Sequence, residues 1–272
     1  MTQTKREPHV GQVIAAKPWT VTPEMLANYR SGLDVQPSGH IPQMLANAAE
    51  TTLLFSQQKG HLWLRQEWEF HQPLAAGIDY LVEGKVTDIY PRRDRTILLT
   101  ETNLSDADGQ VVSVQRHHQS FLLENPPNGE VQLRSPAEKE GATRSATEIV
   151  HELGSIERTV SLEMCGQFFY GSRNYHSDRE ASKELGFSDV VVGGRMSMGY
   201  VGELLDSALG DRWATTGRLL VKFTNVLWPG EMIRVTAGVT RGVDPERESL
   251  AARVEKSDGT VVLVAEGSVA RA

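Results

Sequence analysis

The stretch FTNVLWPGEMIRVTAGVT at residues 223–240 has a counterpart in FHQPLAAGIDYLVEGKVT at residues 70–87. In both stretches the phenylalanine is followed seven residues later by glycine, and then by valine, valine and threonine at matching positions. A second pair of similar segments, Asp108–Val112 and Asp258–Val262, lies downstream, and each begins with Asp-Gly. Repetition at so long an interval is typical of a chain that contains two copies of one domain. The sequence therefore predicts two related halves.

The length of 272 residues suits two domains that each bury a core of their own. Residues 130–146 contain a proline, a glycine and several charges but no apolar periodicity, which is typical of a linker. We therefore expect an N-terminal domain at residues 1–129, the linker at residues 130–146, and a C-terminal domain at residues 147–272.

Each half is predicted to contain a polar lead-in, one long helix and a set of strands. Helical periodicity marks residues 42–59 and 194–209, while Asp-Gly pairs between β-rich runs indicate hairpins. The predicted strands are residues 62–70, 79–89, 95–105, 111–123, 216–226, 232–240, 248–256 and 260–271. One long helix with antiparallel strands is an α+β unit in which the sheet wraps the helix, and two such units would pair through their sheet edges.

Composition excludes several classes of function. Acidic and basic residues are interspersed and give a net charge of −7, which argues against nucleic-acid binding. The longest apolar runs are too short to span a membrane, and residues 1–6 lack the apolar stretch of a signal peptide, so a cytoplasmic protein is expected. The single cysteine, Cys165, forms no disulfide within the chain. Cysteine, histidine and carboxylate residues do not cluster at ligand spacing, so no metal site is predicted.

Residues 174–196 resemble a known family. The segment reads Asn174-Tyr175-His176-Ser177-Asp178, Glu180-Ala181, Gly186-Phe187 and Val190-Val191-Val192-Gly193-Gly194-Arg195-Met196. This is similar to the Asn-Pro-x-His-x-Asp motif, the Gly-Phe pair and the apolar run ending in His-Gly of the MaoC-like (R)-specific enoyl-CoA hydratases and dehydratases. Pro229-Gly230 is similar to the Pro-Gly pair that follows the long helix in that family. The resemblance covers residues 147–272 and, with the strand pattern of the first half, implies a tandem (double) hotdog fold.

The resemblance implies a lyase that hydrates a 2-enoyl thioester or dehydrates a 3-hydroxyacyl thioester. Coenzyme A, favoured over a carrier protein as the thioester carrier, would be part of this small-molecule substrate, and no separate cofactor is expected. Hydration needs a base for water, an acid for the α-carbon, and donors for the charge on the thioester oxygen. His176 suits the base because histidine ordinarily titrates near neutral pH. Asn174 would position the water or the imidazole, and Gly194 would donate its backbone N–H from the start of the helix to the oxyanion.

This chain departs from the family at the position of the catalytic acid. The family places a catalytic aspartate five residues before its histidine, where this chain has Gly171, or Tyr170 if one residue has been lost. Asp178 or Tyr170 supplies the acid, water acts with His176 alone, or the protein hydrates nothing. Asp178 is also a predicted N-cap of a short helix that ends before Gly186. Tyr170 is also predicted to pack with its two neighbouring phenylalanines.

Three further residues are expected to contact the coenzyme A part of the substrate. Gly193 allows close approach of the backbone. Arg195 either reaches a phosphate of coenzyme A or is a solvated arginine at the helix start. Ser197 lies in Gly-Arg-Met-Ser-Met-Gly, which lacks the Gly-x-Ser-x-Gly spacing of a nucleophile elbow, so no serine hydrolase is predicted.

The first half lacks an Asn-x-His-x-Asp motif and is interpreted as a degenerate copy that gives room to the acyl group. Its adjacent histidines at positions 117 and 118 lie on a predicted strand and would face opposite sides of the sheet. Two other functions remain open, a hotdog acyl-CoA thioesterase and a non-catalytic subunit that binds acyl thioesters. Exposed surfaces of the double hotdog would also allow chains to associate as a homo-oligomer.

Overall fold

The computed structural model describes residues 8–36, 39–51, 62–92, 95–122, 148–171 and 173–272. Its strands form one antiparallel sheet in the order β1-β3-β4-β5-β2-β7-β10-β9-β8-β6. The strands are β1 (Val13–Thr20), β2 (Leu62–Phe70), β3 (Asp79–Arg92), β4 (Arg95–Ser105), β5 (Val111–Leu122), β6 (Ile149–Thr159), β7 (Arg218–Phe223), β8 (Met232–Thr240), β9 (Arg247–Lys256) and β10 (Val261–Ala270).

The strand order is the same in both halves when each is read from its outer edge to the centre. The halves join where β2 pairs with β7, in a register that runs from Arg65 opposite Lys222 to Glu69 opposite Arg218. This confirms the expected pairing of two units through their sheet edges. Joining the two edges leaves only β1 and β6 at the ends of the sheet, which reduces the unpaired backbone that favours aggregation.

Most of the helices contribute buried residues to the core that also contains residues of the sheet. They are α1 (Pro23–Leu33), a 3₁₀ turn (Gln43–Ala46), α2 (Asn47–Thr51), α3 (Leu162–Phe168), α4 (Arg179–Glu184), α5 (Gly194–Leu209) and α6 (Asp211–Thr216). The long helix predicted at residues 194–209 is confirmed as α5, and most of its residues are buried. The one predicted at residues 42–59 begins as the 3₁₀ turn and α2, and residues 52–59 lie outside the described part of the chain.

The eight predicted strands agree with the structure to within a few residues. Both Asp-Gly pairs also form the expected hairpins. Gly109 joins β4 to β5 and Gly259 joins β9 to β10, with φ of 77° and 83°, in the left-handed region where glycine is favoured. The proposed linker, residues 130–146, lies outside the described residues. The main hydrophobic core nevertheless includes side chains of both halves, among them Trp68 and Trp213.

The prediction of a polar lead-in to each half is wrong. Each half begins with an edge strand, β1 or β6, followed by a helix, α1 or α3. Thr22 caps α1 and Ser161 caps α3, each accepting a hydrogen bond from the backbone N–H three residues later at 3.1 Å. The repeat was readable in the sequence, because VTPEM at residues 21–25 matches VSLEM at residues 160–164.

The two helices α1 and α3 pack against each other across the pseudo-symmetric halves. Gly32 permits this approach, since a Cβ there would lie 2.5 to 2.7 Å from Phe168, including its backbone. No helix within the described ranges is long and apolar enough to cross a membrane.

Candidate active site

A cavity of about 560 Å³ is lined by residues from both halves of the chain. The second half contributes the start of α5, the loop between α3 and α4, and the end of β7, while the first half contributes β2 and β5. The predicted site residues that border this cavity are Asn174, His176, Gly194, Arg195 and Ser197. The fold therefore brings together most of the residues that the family resemblance selected.

The ring of His176 is held in a defined orientation. Its Nδ1 lies 2.8 Å from the carbonyl oxygen of Val191, which can only accept, so Nδ1 carries the proton and donates it. The ring also stacks on Phe169, with ring centroids 4.4 Å apart and planes 26° apart. In a neutral imidazole a proton on Nδ1 leaves a lone pair on Nε2. His176 is therefore held in the tautomer that a general base requires.

Asn174 fixes the loop that carries His176. Its side-chain oxygen accepts a hydrogen bond from the backbone N–H of His176 at 2.9 Å, and its amide nitrogen donates to the backbone carbonyl of Phe169 at 3.1 Å. An asparagine that bonds to the backbone two residues later forms a compact turn. Asn174 thus positions the imidazole through the backbone, while its own side chain also borders the cavity.

The two glycines at the start of α5 allow aromatic rings to lie against the backbone. Gly194 borders the cavity as the first residue of α5, where a backbone N–H has no acceptor within its own helix. A Cβ at Gly194 would lie 2.9 Å from the ring of Phe223 and 3.0 Å from the ring of Trp63. Gly193 is buried beneath the ring of Phe169 and is not among the residues that border the cavity, so its expected contact with coenzyme A stays a prediction.

Asp178 lies outside the cavity lining and caps α4, as one of its two interpretations predicts. Its carboxylate accepts a hydrogen bond from the backbone N–H of Ala181 at 2.7 Å and one from Arg173 at 2.9 Å. The bond from the Ala181 N–H, together with Arg173, lowers the pKa of this carboxyl. A carboxylate that stays ionised and faces away from the cavity is poorly suited to be the missing acid.

We expect Asp178→Ala to lower the melting temperature by a few degrees and to leave most of the catalytic rate intact, because the change removes a cap. Thermal unfolding and steady-state kinetics would measure the two effects. Asp178→Ser is the matched control, since serine also caps helices and should restore the melting temperature. Loss of turnover in both variants would contradict the assignment of Asp178 as a cap alone.

Tyr170 differs from its predicted environment, and Arg195 differs from one of its two alternatives. Tyr170 is 41% exposed, so it is not packed away as predicted, and with Phe168 and Phe169 it borders a second cavity of about 220 Å³. Arg195 is half-buried and borders both cavities, so it is not a solvated arginine. Burial lowers the pKa of Arg195 to about 10, which leaves the guanidinium charged at neutral pH.

The first half contributes cavity residues that sequence reasoning did not select. His117 borders the cavity, and its ring packs against Trp63 at a centroid distance of 4.6 Å. Trp63 in turn packs against Phe223 of the second half at 5.1 Å. The two histidines at positions 117 and 118 do point to opposite faces of β5, as predicted, since His118 lies near Glu67 rather than in the cavity.

A buried polar cluster lies behind His117. Glu50 on α2 accepts hydrogen bonds from Asn47 and Gln66, and the side-chain oxygen of Gln66 lies 3.2 Å from Nδ1 of His117. Burial raises the pKa of Glu50 to about 8, despite both hydrogen bonds. The carboxyl is therefore mostly protonated at neutral pH, and its ionisation opposes folding.

We expect Glu50→Gln to make the protein more stable in alkaline solution. Because folding raises the pKa of this carboxyl to about 8, the free energy of unfolding of the protein decreases as the pH rises from about 4.5 to 8. The total decrease is on the order of a few kcal/mol. Glutamine keeps a carbonyl oxygen for Asn47 and Gln66 and cannot ionise. Urea unfolding at pH 5.5 and pH 8 would measure the gain, which should be much larger at the higher pH.

Glu69→Gln serves as the control of opposite sign. Hydrogen bonding to Arg116 lowers the pKa of Glu69, so its charge contributes stability that is lost as the pH falls. At pH 8 we expect Glu69→Gln to be less stable than wild type, whereas Glu50→Gln should be more stable than wild type. Equal responses of the two variants would contradict the buried-carboxyl explanation.

The comparisons with known proteins agree with this architecture. Residues 147–260 match the family model described as MaoC like domain. No curated protein sequence matches the chain significantly. The full-length peroxisomal multifunctional enzyme type 2 from Drosophila melanogaster matches with a TM-score of 0.70 and 15% identity over 94% of this chain. The alignment covers 48% of that enzyme, so this chain spans about half its length.

Two other solved structures match over nearly their whole length. A conserved hypothetical protein from Mycobacterium tuberculosis, described as having a double hotdog fold, has a TM-score of 0.64 and 14% identity, with 97% of this chain and 96% of that chain covered. A putative oleoyl thioesterase from Lactobacillus plantarum has a TM-score of 0.58 and 9% identity, with 96% of each chain covered. The α+β double hotdog prediction is thereby confirmed, as is the resemblance of the second half to the MaoC-like proteins.

Proposed function

We propose that this protein is a lyase acting on an acyl thioester, because residues 147–260 match the MaoC like domain model within a double hotdog fold. It adds water to a 2-enoyl ester of coenzyme A, or removes water from the corresponding 3-hydroxyacyl ester. The proposal is carried by the tautomer of His176, whose Nδ1 donates to the Val191 carbonyl while the ring borders the same cavity as Gly194. Its expected location is the cytoplasm.

In this mechanism His176 is the base and Gly194 the oxyanion donor. Nε2 of His176 removes a proton from water, and the hydroxyl oxygen forms a bond to the β-carbon. The electron pair of the double bond moves toward the thioester, whose oxygen gains negative charge. The backbone N–H of Gly194 at the positive end of α5 stabilises that charge.

The second proton transfer completes the reaction without a further carboxylate. The proton held on Nε2 of His176 passes to the α-carbon, which restores the neutral imidazole and releases the 3-hydroxyacyl ester. Asp178 is used as a helix cap, and Tyr170 borders the smaller cavity. Of the alternatives that the sequence left open, the geometry favours His176 acting with water alone.

The first half is proposed to accommodate the acyl group. Trp63 and His117 border the cavity from this half, and most of the lining is apolar or aromatic. Ser197, in the first turn of α5, remains a proposed contact of the coenzyme A part of the substrate. Association of two chains would use surfaces away from this cavity.

Hydration would be tested by following the loss of absorbance of the conjugated enoyl group across short, long, branched and aromatic 2-enoyl-CoA esters. A thiol reagent in a parallel reaction would detect release of free coenzyme A. Loss of absorbance without thiol release would support the lyase. Thiol release would identify a thioesterase instead, and tight binding of the esters without any turnover would identify a binding subunit.

A further inference from the structure

The second cavity adjoins the reaction cavity at Arg195. Phe169, Asn174 and Arg195 border both cavities, so the two cavities are neighbours, and the smaller one is called the side chamber below. Tyr29 and Tyr170 also border this chamber, and the hydroxyl of Tyr29 donates a hydrogen bond to the backbone carbonyl of Gly199 at 3.4 Å. Burial raises the pKa of both tyrosines, so each keeps its hydroxyl proton at neutral pH. The chamber thus combines one cation with neutral polar groups.

Arg195 lacks an anionic partner in the described part of the chain. Its guanidinium carbon lies 5.4 Å from the ring centre of Phe168 and 5.7 Å from that of Phe169, and it makes no hydrogen bond or ion pair with a described residue. Glu50 is the carboxyl whose charge acts on it, but that group is mostly protonated at neutral pH. A half-buried cation whose donors are unfilled is costly unless an anion binds it.

We propose that Arg195 binds a carboxylate at the far end of the acyl group, so that the preferred substrates are thioesters of dicarboxylic acids. The guanidinium presents a planar pair of donors that matches a carboxylate. This inference rests on the proposed hydration reaction and names its substrate class.

Charge favours an acyl carboxylate over a phosphate of coenzyme A. Arg195 is the single lysine or arginine among the described residues that border the two cavities. One cation balances one carboxylate, whereas the diphosphate of coenzyme A carries more charge than one arginine neutralises. Arg195 also follows Gly194 directly in the chain, with Cα atoms about 3.8 Å apart. The carboxylate and the thioester oxygen would therefore be bound by adjacent residues, which suits a short acyl chain.

The test compares matched esters that differ only in a terminal carboxylate. Fumaryl-CoA is paired with crotonyl-CoA, and glutaconyl-CoA with 2-pentenoyl-CoA. We expect wild type to favour the carboxylated member of a pair by about tenfold or more in kcat/KM, and Arg195→Met to lose that preference. Arg195→Lys keeps the charge without the planar pair of donors and should retain part of it. Arg234→Met, which removes an exposed arginine on β8, should keep the wild-type ratio.

Two further measurements separate this inference from its alternatives. Pantetheine thioesters lack the nucleotide, so a carboxylate preference that persists with them supports the acyl site. If the effect of Arg195→Met disappears with these esters, the residue binds a phosphate and the inference is overturned.

If no ester turns over, calorimetry with glutaryl-CoA and pentanoyl-CoA would measure binding instead. Preferential binding of glutaryl-CoA that Arg195→Met abolishes supports the carboxylate site even though hydration has failed, and equal binding overturns it.

Discussion

Replacing His176 with asparagine is expected to lower kcat for hydration by about 10³-fold, because a general acid–base group is lost. Asparagine places its amide N–H near the position of Nδ1 and can therefore still donate to the Val191 carbonyl. It has no counterpart of Nε2, so the loop keeps its conformation and loses its base. Stopped assays with high enzyme concentration would measure the residual rate, and calorimetry with a saturated acyl-CoA would measure binding.

His176→Ala removes both the base and the loop hydrogen bond, so it should lose the same activity and some stability as well. His151, which is exposed on the edge strand β6, provides a histidine control, and His151→Ala should behave as wild type. Loss of the proposed base should remove nearly all activity. If His176→Asn keeps more than about a tenth of the wild-type activity, His176 is not the base.

The elements best predicted from the sequence are those whose local signals agree. Helix α5 begins after Gly193 and ends before Gly210. The residues between these glycines are mostly apolar, so the helix is buried in the core. The hairpins follow from the Asp-Gly pairs. The edge strands β1 and β6 were missed because most of their residues are exposed or half-buried, and such strands do not show a clear alternation of apolar and polar residues.

The candidate site was predictable only where it is local in sequence. Asn174 and His176 lie on one short loop, and their spacing carries the resemblance. Trp63 and His117 reach the cavity because β2 pairs with β7, a contact between residues more than a hundred positions apart. Nothing in the sequence near either residue specifies that register. The pairing of Asp178 with the backbone of α4 was likewise one of two readings until the structure showed where its carboxylate lies.

Gly193 is buried against the aromatic ring that stacks on His176. A Cβ at this position would overlap the ring of Phe169, whose backbone carbonyl also accepts the amide hydrogen of Asn174. One added methyl group would therefore move the residue that supports both the imidazole and its loop. Gly193→Ala is expected to cost about 1–3 kcal/mol of stability through overpacking.

The same change is expected to lower kcat/KM by about 10²-fold, which is the typical effect of displacing a reacting group by about 1 Å. Steady-state kinetics and urea unfolding would measure both losses, with Gly166→Ala as the control because an added Cβ there contacts nothing within 4 Å. Phe169→Ala removes the obstructing ring, so Gly193→Ala should cost much less stability in that background, with a coupling of about 1–3 kcal/mol. If the glycine substitution is equally costly with and without the ring, its effect comes from the helix start itself, and the packing of Phe169 is not what positions His176.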